Sequence, residues 1–398
     1  MSAPAAPRCL AVDLRALATV DSGGVARFIR RVMAELAARP GWSVVGLSPD
    51  PEGVGDVGVA VRPLPRGREA VREQLALPRE LARLHADVLL SPANRGLPLV
   101  APCPAVLVVY DTTEWEQALV EAPRGAAAVR FAYAGAISLS RAARIVTISD
   151  HAAASIAERL GIAPGRIRVA RCGVEPRFFL NELDDEAVRR AAERHGILPG
   201  SVLSVGALRP HKDQATLVRA VAALPADVVP RLVLAGRGPE QPHLRRLAVD
   251  LGIAERVTFP GFVDDEELPA VYRAAACVAL PSRAEGFGLP ALEAMAAGVP
   301  VVAARAGAFP EIAGDAALLV PPGDPDALAT AIASIRSSPA HAAARVALGR
   351  ERAAGFTWAR TADAVEAALR EAIGMGRGRA AREELSSLRS VGRWIRPR

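Results

Sequence analysis

Two glutamates eight positions apart, Glu285 and Glu293, stand in the segment Pro281–Gly298, PSRAEGFGLPALEAMAAG. The apolar residues before it read as a buried strand ending at Pro281. Pro290 and Gly298 then frame a helix, proline in its first turn and glycine past its end. Gly286 and Gly288 let the backbone come close to a ligand. Free N–H groups at the helix start, approached through Phe287, Gly288 and Leu289, suit a phosphate. Two carboxylates beside such a site repel the anion unless each accepts hydrogen bonds from sugar hydroxyls. The plain alternative is an amphipathic helix with two solvated acids.

Of the 49 basic residues only one, Lys212, is lysine. Arginine offers a planar fork and lysine a compact ammonium, so the exception reflects either chance or a need for the ammonium. The surrounding segment, VGALRPHKD from Val205 to Asp213, reads as strand end, turn and helix start, and it gathers Arg209, His211 and Lys212. Cations there would neutralise a departing diphosphate, whose charge grows in the transition state of group transfer. Exposed charges at the start of a helix are the alternative.

Weaker signals lie elsewhere. Gly23 and Gly24 open a helix that Asp21 or Ser22 could cap, and the pair lets backbone amides approach a ligand. Val108–Trp115 reads VVYDTTEW, placing Asp111 just past a strand as either a site residue or a cap. Gly206 ends one strand and Gly236 another, the latter in a G-R-G-P turn. Gly261-Phe262-Val263 follows a third. Thr147–His151 closes a strand and starts a helix.

The elements needed to position these residues alternate along the whole chain. Strands are expected at Cys9–Leu14, Ser43–Leu47, Asp87–Ser91, Ala105–Tyr110, Arg144–Ile148 and Ile167–Ala170. After a break at Gly173–Gly200, they resume at Val202–Gly206, Leu232–Gly236, Val257–Phe259, Cys277–Leu280, Val299–Ala303 and Leu318–Val320. Helical patterns fill the gaps; the clearest is Val25, Phe28, Ile29, Val32, Met33 and Leu36. Alternation of this kind means βαβ units and parallel sheets, whose ligands collect past the carboxyl ends of the strands. The expected domains are residues 1–178 and 179–355, followed by a helix over 356–375 and a basic tail over 376–398.

Composition narrows the classes. The chain has 398 residues, of which 51% are hydrophobic, enough for two cores. Aromatic residues make up 4%, too few for a platform that stacks single-stranded nucleic acid. The four cysteines form no C-x-x-C pair, so neither zinc spacing nor a disulfide framework is expected. No apolar run is long enough for a membrane span, and the start does not read as a signal peptide, which points to the cytoplasm. The net charge of +6 and the arginine-rich tail permit contact with an anionic membrane face. An oxidoreductase would need G-x-G-x-x-G after the first strand, which is absent. A non-catalytic nucleic-acid or surface-binding protein would account for the charge, though not for paired acids on a glycine-rich phosphate loop.

The run E-G-F-G-L-P-A-L-E resembles the glutamate–seven–glutamate motif of the retaining glycosyltransferases of family 4, and the likeness extends over roughly residues 8–373. It implies the α/β GT-B fold: two Rossmann-like domains facing across a cleft, with a C-terminal helix crossing back to the first. It implies that Glu285 holds the donor sugar, Glu293 the nucleotide ribose and Lys212 the diphosphate. Some members carry arginine where this chain has Ala207, which makes Arg209 the candidate for that task. Gly23-Gly24 is similar to the family's first glycine-rich loop, and Gly236, Phe262 and Val263 match positions around the nucleotide. Where members often have His-Asp facing the acceptor, this chain has Tyr110-Asp111. The implied activity is transfer of a hexose from a nucleotide-diphospho-sugar, GDP-mannose first and UDP-sugars second. The acceptor is the hydroxyl of a glycan, a lipid-linked acceptor or a small molecule. Anomeric configuration is retained, and neither a metal nor a cofactor is required.

Overall fold

A computed structural model describes residues 6–17, 23–94, 96–112, 135, 137–179 and 184–391, with side chains described as far as Met375. The chain forms two compact units, Met1–Gly173 with Trp358–Arg398, and Val174–Thr357.

The first unit is built on a seven-stranded sheet in the order β3-β2-β1-β4-β5-β6-β7, parallel throughout. Its strands are β1 Arg8–Asp13, β2 Trp42–Ser48, β3 Val61–Pro63, β4 Val88–Ser91, β5 Ala105–Val108, β6 Arg144–Thr147 and β7 Ile167–Val169. The central strands are apolar along their length because helices cover both faces. Helix α1, Gly24–Ala37, turns Phe28, Ile29, Val32, Met33 and Leu36 inward, each at most 1% exposed. Burial of this kind stabilises by about 2 kcal/mol per large side chain. β3 was not expected from the sequence: it is a three-residue edge strand with one proline and no buried residue, so it carries no apolar pattern.

The second unit has a six-stranded parallel sheet in the order β10-β9-β8-β11-β12-β13. Its strands are β8 Val202–Val205, β9 Leu232–Ala235, β10 Val257–Gly261, β11 Cys277–Leu280, β12 Val301–Ala304 and β13 Leu318–Val320. The helices that matter below are α2 Gln214–Ala222, α3 Leu268–Ala274, α4 Leu289–Ala296 and α5 Phe309–Ala313. The core of this unit gathers Leu217, Val221, Leu232, Leu234, Ala279, Val302, Leu328 and Ile332.

The division falls after Gly173 rather than after residue 178. Val174 donates its backbone N–H to Phe356 (3.1 Å), and Phe178 packs edge-on against Tyr272, so residues 174–179 belong with the second unit. The chain returns to the first unit as one long helix, α6, Trp358–Val391, which continues past residue 375, where a tail was expected to begin. Val365, Ala368, Leu369 and Ala372 on α6 are fully buried. Two polar clamps hold it: Glu366 receives Arg39 and the Trp42 indole N–H (3.0 Å), and Glu371 receives Arg144 at 2.6 Å and Arg168 at 3.0 Å.

Candidate active site

In the second sheet the strand order reverses between β8 and β11, and ligands of open α/β sheets bind in the crevice beyond the carboxyl ends at such a point. Lys212 arrives from the loop after β8 and Glu285 from the loop after β11. They meet as an ion pair, Nζ to Oε2, at 2.5 Å. Both side chains are largely withdrawn from water, at 20% and 14% exposure.

The β8 loop is shaped by backbone that few residues tolerate. Gly206 has φ +147° and Gly236, at the end of β9, has φ +146°. A Cβ on Gly236 would overlap the Gly206 carbonyl, so glycine is what lets these two turns touch. Pro210–Lys212 forms a 3-10 turn, and Asp213 then adopts φ +49°, which costs a non-glycine residue about 1–2 kcal/mol. That conformation is held by contacts: the Asp213 carboxylate accepts from Thr216 Oγ1 (2.9 Å) and from Arg283 Nε (2.8 Å). Arg283 also donates its backbone N–H to the His211 carbonyl (2.8 Å), tying the β8 loop to the β11 loop. Neither Asp213 nor Arg283 was singled out in the sequence; a polar residue directly after a lone lysine gives little signal.

Glu285 is gripped by its backbone as well. Its carbonyl accepts the N–H of Ala308 (2.9 Å), in the loop after β12, and Gly307 packs directly against it. Gly288, at φ +98°, is the N-cap of α4 and leaves the first-turn amides without a side-chain cap. A Cβ there would lie 2.8 Å from the Phe309 ring. Leu289 begins α4, and buried Phe287 meets Phe356 edge-on at 6.1 Å. Glu293 is buried at 3% exposure inside α4 and accepts a hydrogen bond from the Tyr272 hydroxyl (2.9 Å), from α3. Tyr272 went unnoticed in the sequence, where a tyrosine within an apolar helix reads as packing alone.

The remaining expected positions divide. Gly236 donates its N–H to Gly261 (2.7 Å), after which Phe262 is 45% exposed and Val263 buried. Arg209 is exposed and joins no ion pair among the described residues, so the structure does not bring it into the Lys212–Glu285 pair. His211 is partly buried; burial first, then Lys212 and Arg209, push its pKa down, with Glu285 opposing. In the first unit Gly23, at φ +105°, is itself the N-cap of α1, with Gly24 as the first helical residue. Asp21 and Ser22 lie outside the described residues. Asp111 is half-buried beyond β5. Tyr110 is a packing residue: its hydroxyl donates to the Pro92 carbonyl (3.0 Å), its backbone N–H to Asn94 (3.0 Å), and Phe28 meets its ring edge-on. His151 is exposed in the first turn of the helix Asp150–Leu160, which Ser149 caps. Among the described residues no helix is long and apolar enough to cross a membrane.

Comparison with known proteins follows this division. Residues 194–352 match the family described as "Glycosyl transferases group 1", and residues 22–178 match "Glycosyltransferase Family 4". D-inositol 3-phosphate glycosyltransferase 1 of Catenulispora acidiphila is 32% identical over 357 residues, covering 81% of this chain and 83% of that protein. The MMP alpha-(1->4)-mannosyltransferase of Mycolicibacterium hassiacum is 31% identical over 234 residues, 58% of this chain and 54% of that one. Among solved structures, sucrose-phosphate synthase of Thermosynechococcus elongatus superposes over 93% of this chain and 100% of its own, at a TM-score of 0.72 and 24% identity. HepE of Anabaena, solved with UDP and glucose, superposes over 91% of this chain and 99% of its own, with a TM-score of 0.73 and 20% identity. The chain belongs to the family 4, group 1 glycosyltransferases and carries their GT-B fold of two Rossmann-like units.

Proposed function

We propose that this glycosyltransferase moves a hexose, with retention of anomeric configuration and without a metal ion, from a nucleotide-diphospho-sugar to an acceptor hydroxyl. The observation that carries the reading is the Lys212–Glu285 pair at the strand-order reversal of the second sheet. In this reading the Lys212 ammonium and the backbone amide of Leu289 at the start of α4 take the diphosphate, Arg209 adds charge from the exposed rim, and Glu285 orients the sugar hydroxyls. Glu293, steadied by Tyr272, receives the ribose. Gly206, Gly236, Phe262 and Val263 border the nucleotide. Gly23-Gly24 and Asp111 serve the acceptor.

The bond from the anomeric carbon to the diphosphate oxygen breaks as the acceptor oxygen bonds to that carbon from the same face. The acceptor proton passes to the departing phosphate oxygen, so the chemistry asks for charge stabilisation and placement rather than a protein base. The names of the relatives support a small phosphorylated polyol as the acceptor ahead of a lipid-linked one, and one of them supports mannose as the sugar. GDP-mannose is the first donor to test and UDP-hexoses the second. Melting temperatures with GDP, UDP, ADP and their sugar conjugates, in the presence of a chelator, test the reading, because a ligand that binds the native state raises the midpoint. Stabilisation by one nucleotide family and turnover that persists in chelator are expected. No shift with any of them, or activity only with added metal, overturns the reading.

A further inference from the structure

Glu285 sits in a loop with no regular structure of its own, yet the proposed reading asks it to hold a sugar in one orientation. Its position comes from the loop after β12, residues 305–308. β12 pairs with β11, so the two loops leave neighbouring strand ends. Gly307 adopts φ +57°, and a Cβ on it would lie 2.5 Å from the Glu285 carbonyl oxygen, 2.6 Å from its nitrogen and 3.1 Å from its Cα. These are all backbone atoms, which cannot rotate away as the end of a side chain can. Next to it, Ala308 donates its N–H to the Glu285 carbonyl (2.9 Å). Ala308 and Phe309 are themselves buried, at 0% and 1% exposure, and the Ile312 N–H bonds the Ala308 carbonyl (2.9 Å) at the start of α5. The clasp is therefore anchored in the core on its far side and leaves Glu285 no room to slide. On its near side the carboxylate meets Lys212.

We propose that Gly307 is a positioning residue for donor-sugar recognition: the missing side chain lets the β12 loop press on the backbone of Glu285 and fix the carboxylate that receives the sugar. This rests on the reading of Glu285 given above. Any side chain at 307 is strained twice, by the left-handed backbone and by overlap with Glu285. The loop must then yield at Glu285, since Ala308 and Phe309 are packed. The predicted defect is selective. Lys212 reaches the diphosphate from the β8 loop, which Arg283 ties to the β11 loop ahead of Glu285, so a shift that begins at Glu285 leaves nucleotide binding in place while the added affinity from the sugar is lost.

The test measures GDP against GDP-mannose, and UDP against UDP-glucose, by calorimetry on the full chain carrying Gly307→Ala, Glu285→Gln or both. Gly307→Ala is expected to keep nucleoside-diphosphate affinity within about twofold and to weaken the sugar conjugate about tenfold, with no further loss in the Glu285→Gln background. Gly307→Asn, which tolerates the left-handed backbone but still carries a Cβ, is the second variant and should behave in the same way. Losses that add to those of Glu285→Gln, or equal losses for nucleotide and conjugate, overturn the inference. So does failure of both 307 variants to fold while Glu285→Gln folds, because the position then serves the fold alone. If the unmodified chain binds neither conjugate more tightly than its nucleotide, the donor reading fails first and this inference falls with it.

Discussion

The two units reverse their strand order in the same way, and each places an ion pair at the reversal, but the two pairs are built differently. In the first unit the reversal lies between β1 and β4, and Arg15 fills it. Its guanidinium grips both oxygens of Asp13, with Nε at 2.9 Å and Nη2 at 2.6 Å. It also donates to the Gly96 carbonyl (2.7 Å) and faces Glu73 at 3.5 Å. Burial opposes its charge, and Asp13, with Glu73 and Glu69 behind it, more than restores it. The planar fork is saturated on several sides at once, as arginine allows. In the second unit the only lysine of the chain makes one short bond to one carboxylate oxygen, from a loop whose first glycine, Gly206, has open space around its Cβ position. One crevice is plugged by its own side chains. The other holds a pair that can exchange partners. The same strand-order reversal thus carries a many-sided structural tie in one unit and, in the proposed reading, a ligand seat in the other, and the difference lies in how many bonds each cation has left to give.

The sharpest way to break this contrast is to remove each cation in turn. Lys212→Ala should lower turnover by about 10²–10³, the cost of losing a preorganised charge at a developing anion, with little change in melting temperature. Near-normal turnover would reduce the second pair to a structural one. Arg15→Met should do the reverse, destabilising the fold by about 3–5 kcal/mol because it strands Asp13 buried and unpaired, while nucleotide affinity in the surviving native protein stays unchanged. Chemical denaturation read alongside ligand titration separates the two effects. A milder probe is Tyr272→Phe, which removes the hydroxyl that Glu293 accepts from. About 1 kcal/mol should be lost from nucleotide binding or stability, and comparison of nucleoside with base-only ligands shows which.

The smallest effect concerns His211. Its folded pKa lies below the ordinary 6.5, so between the two values the unfolded chain binds a proton that the folded chain refuses. Its contribution therefore erodes stability as pH falls below about 6.5 and is absent above it. His211→Gln should flatten that acid-side decline in denaturant midpoints. An unchanged slope would show that the histidine titrates normally beside Lys212.

Much of this was legible in the sequence because the signals were local. All twelve expected strands recur in the two sheets, each a short and mostly apolar run, as parallel strands covered by helices require. The edge strand β3, half-exposed and proline-ended, had no such run to give. The places of Lys212 and Glu285 were legible for a similar reason: each lies in a glycine-containing loop between a strand and a helix, Lys212 after β8 and Glu285 after β11. What joins them was not legible. The Asp213–Arg283 tie, the Tyr272–Glu293 bond and the pressure of Gly307 on Glu285 link positions far apart in the chain, and nothing at either end marks its partner. Tyr110 shows the same limit from the other side. A tyrosine ending a buried strand reads as packing more readily than as chemistry, and the hydroxyl's bond to Pro92 agrees, though nothing near Tyr110 in the sequence names that partner.

The long helix α6 has a consequence for how the protein comes to exist. Because Trp358–Val391 completes the first unit, that unit is split in the chain while the second, Val174–Thr357, is continuous. During synthesis the second unit can close as soon as it leaves the ribosome. The first must wait, its sheet exposing the apolar face that Val365, Leu369 and Ala372 will cover, until those residues have been made as well. A premature stop after Thr357 would leave the unit that comes first in the chain as the one that never finishes.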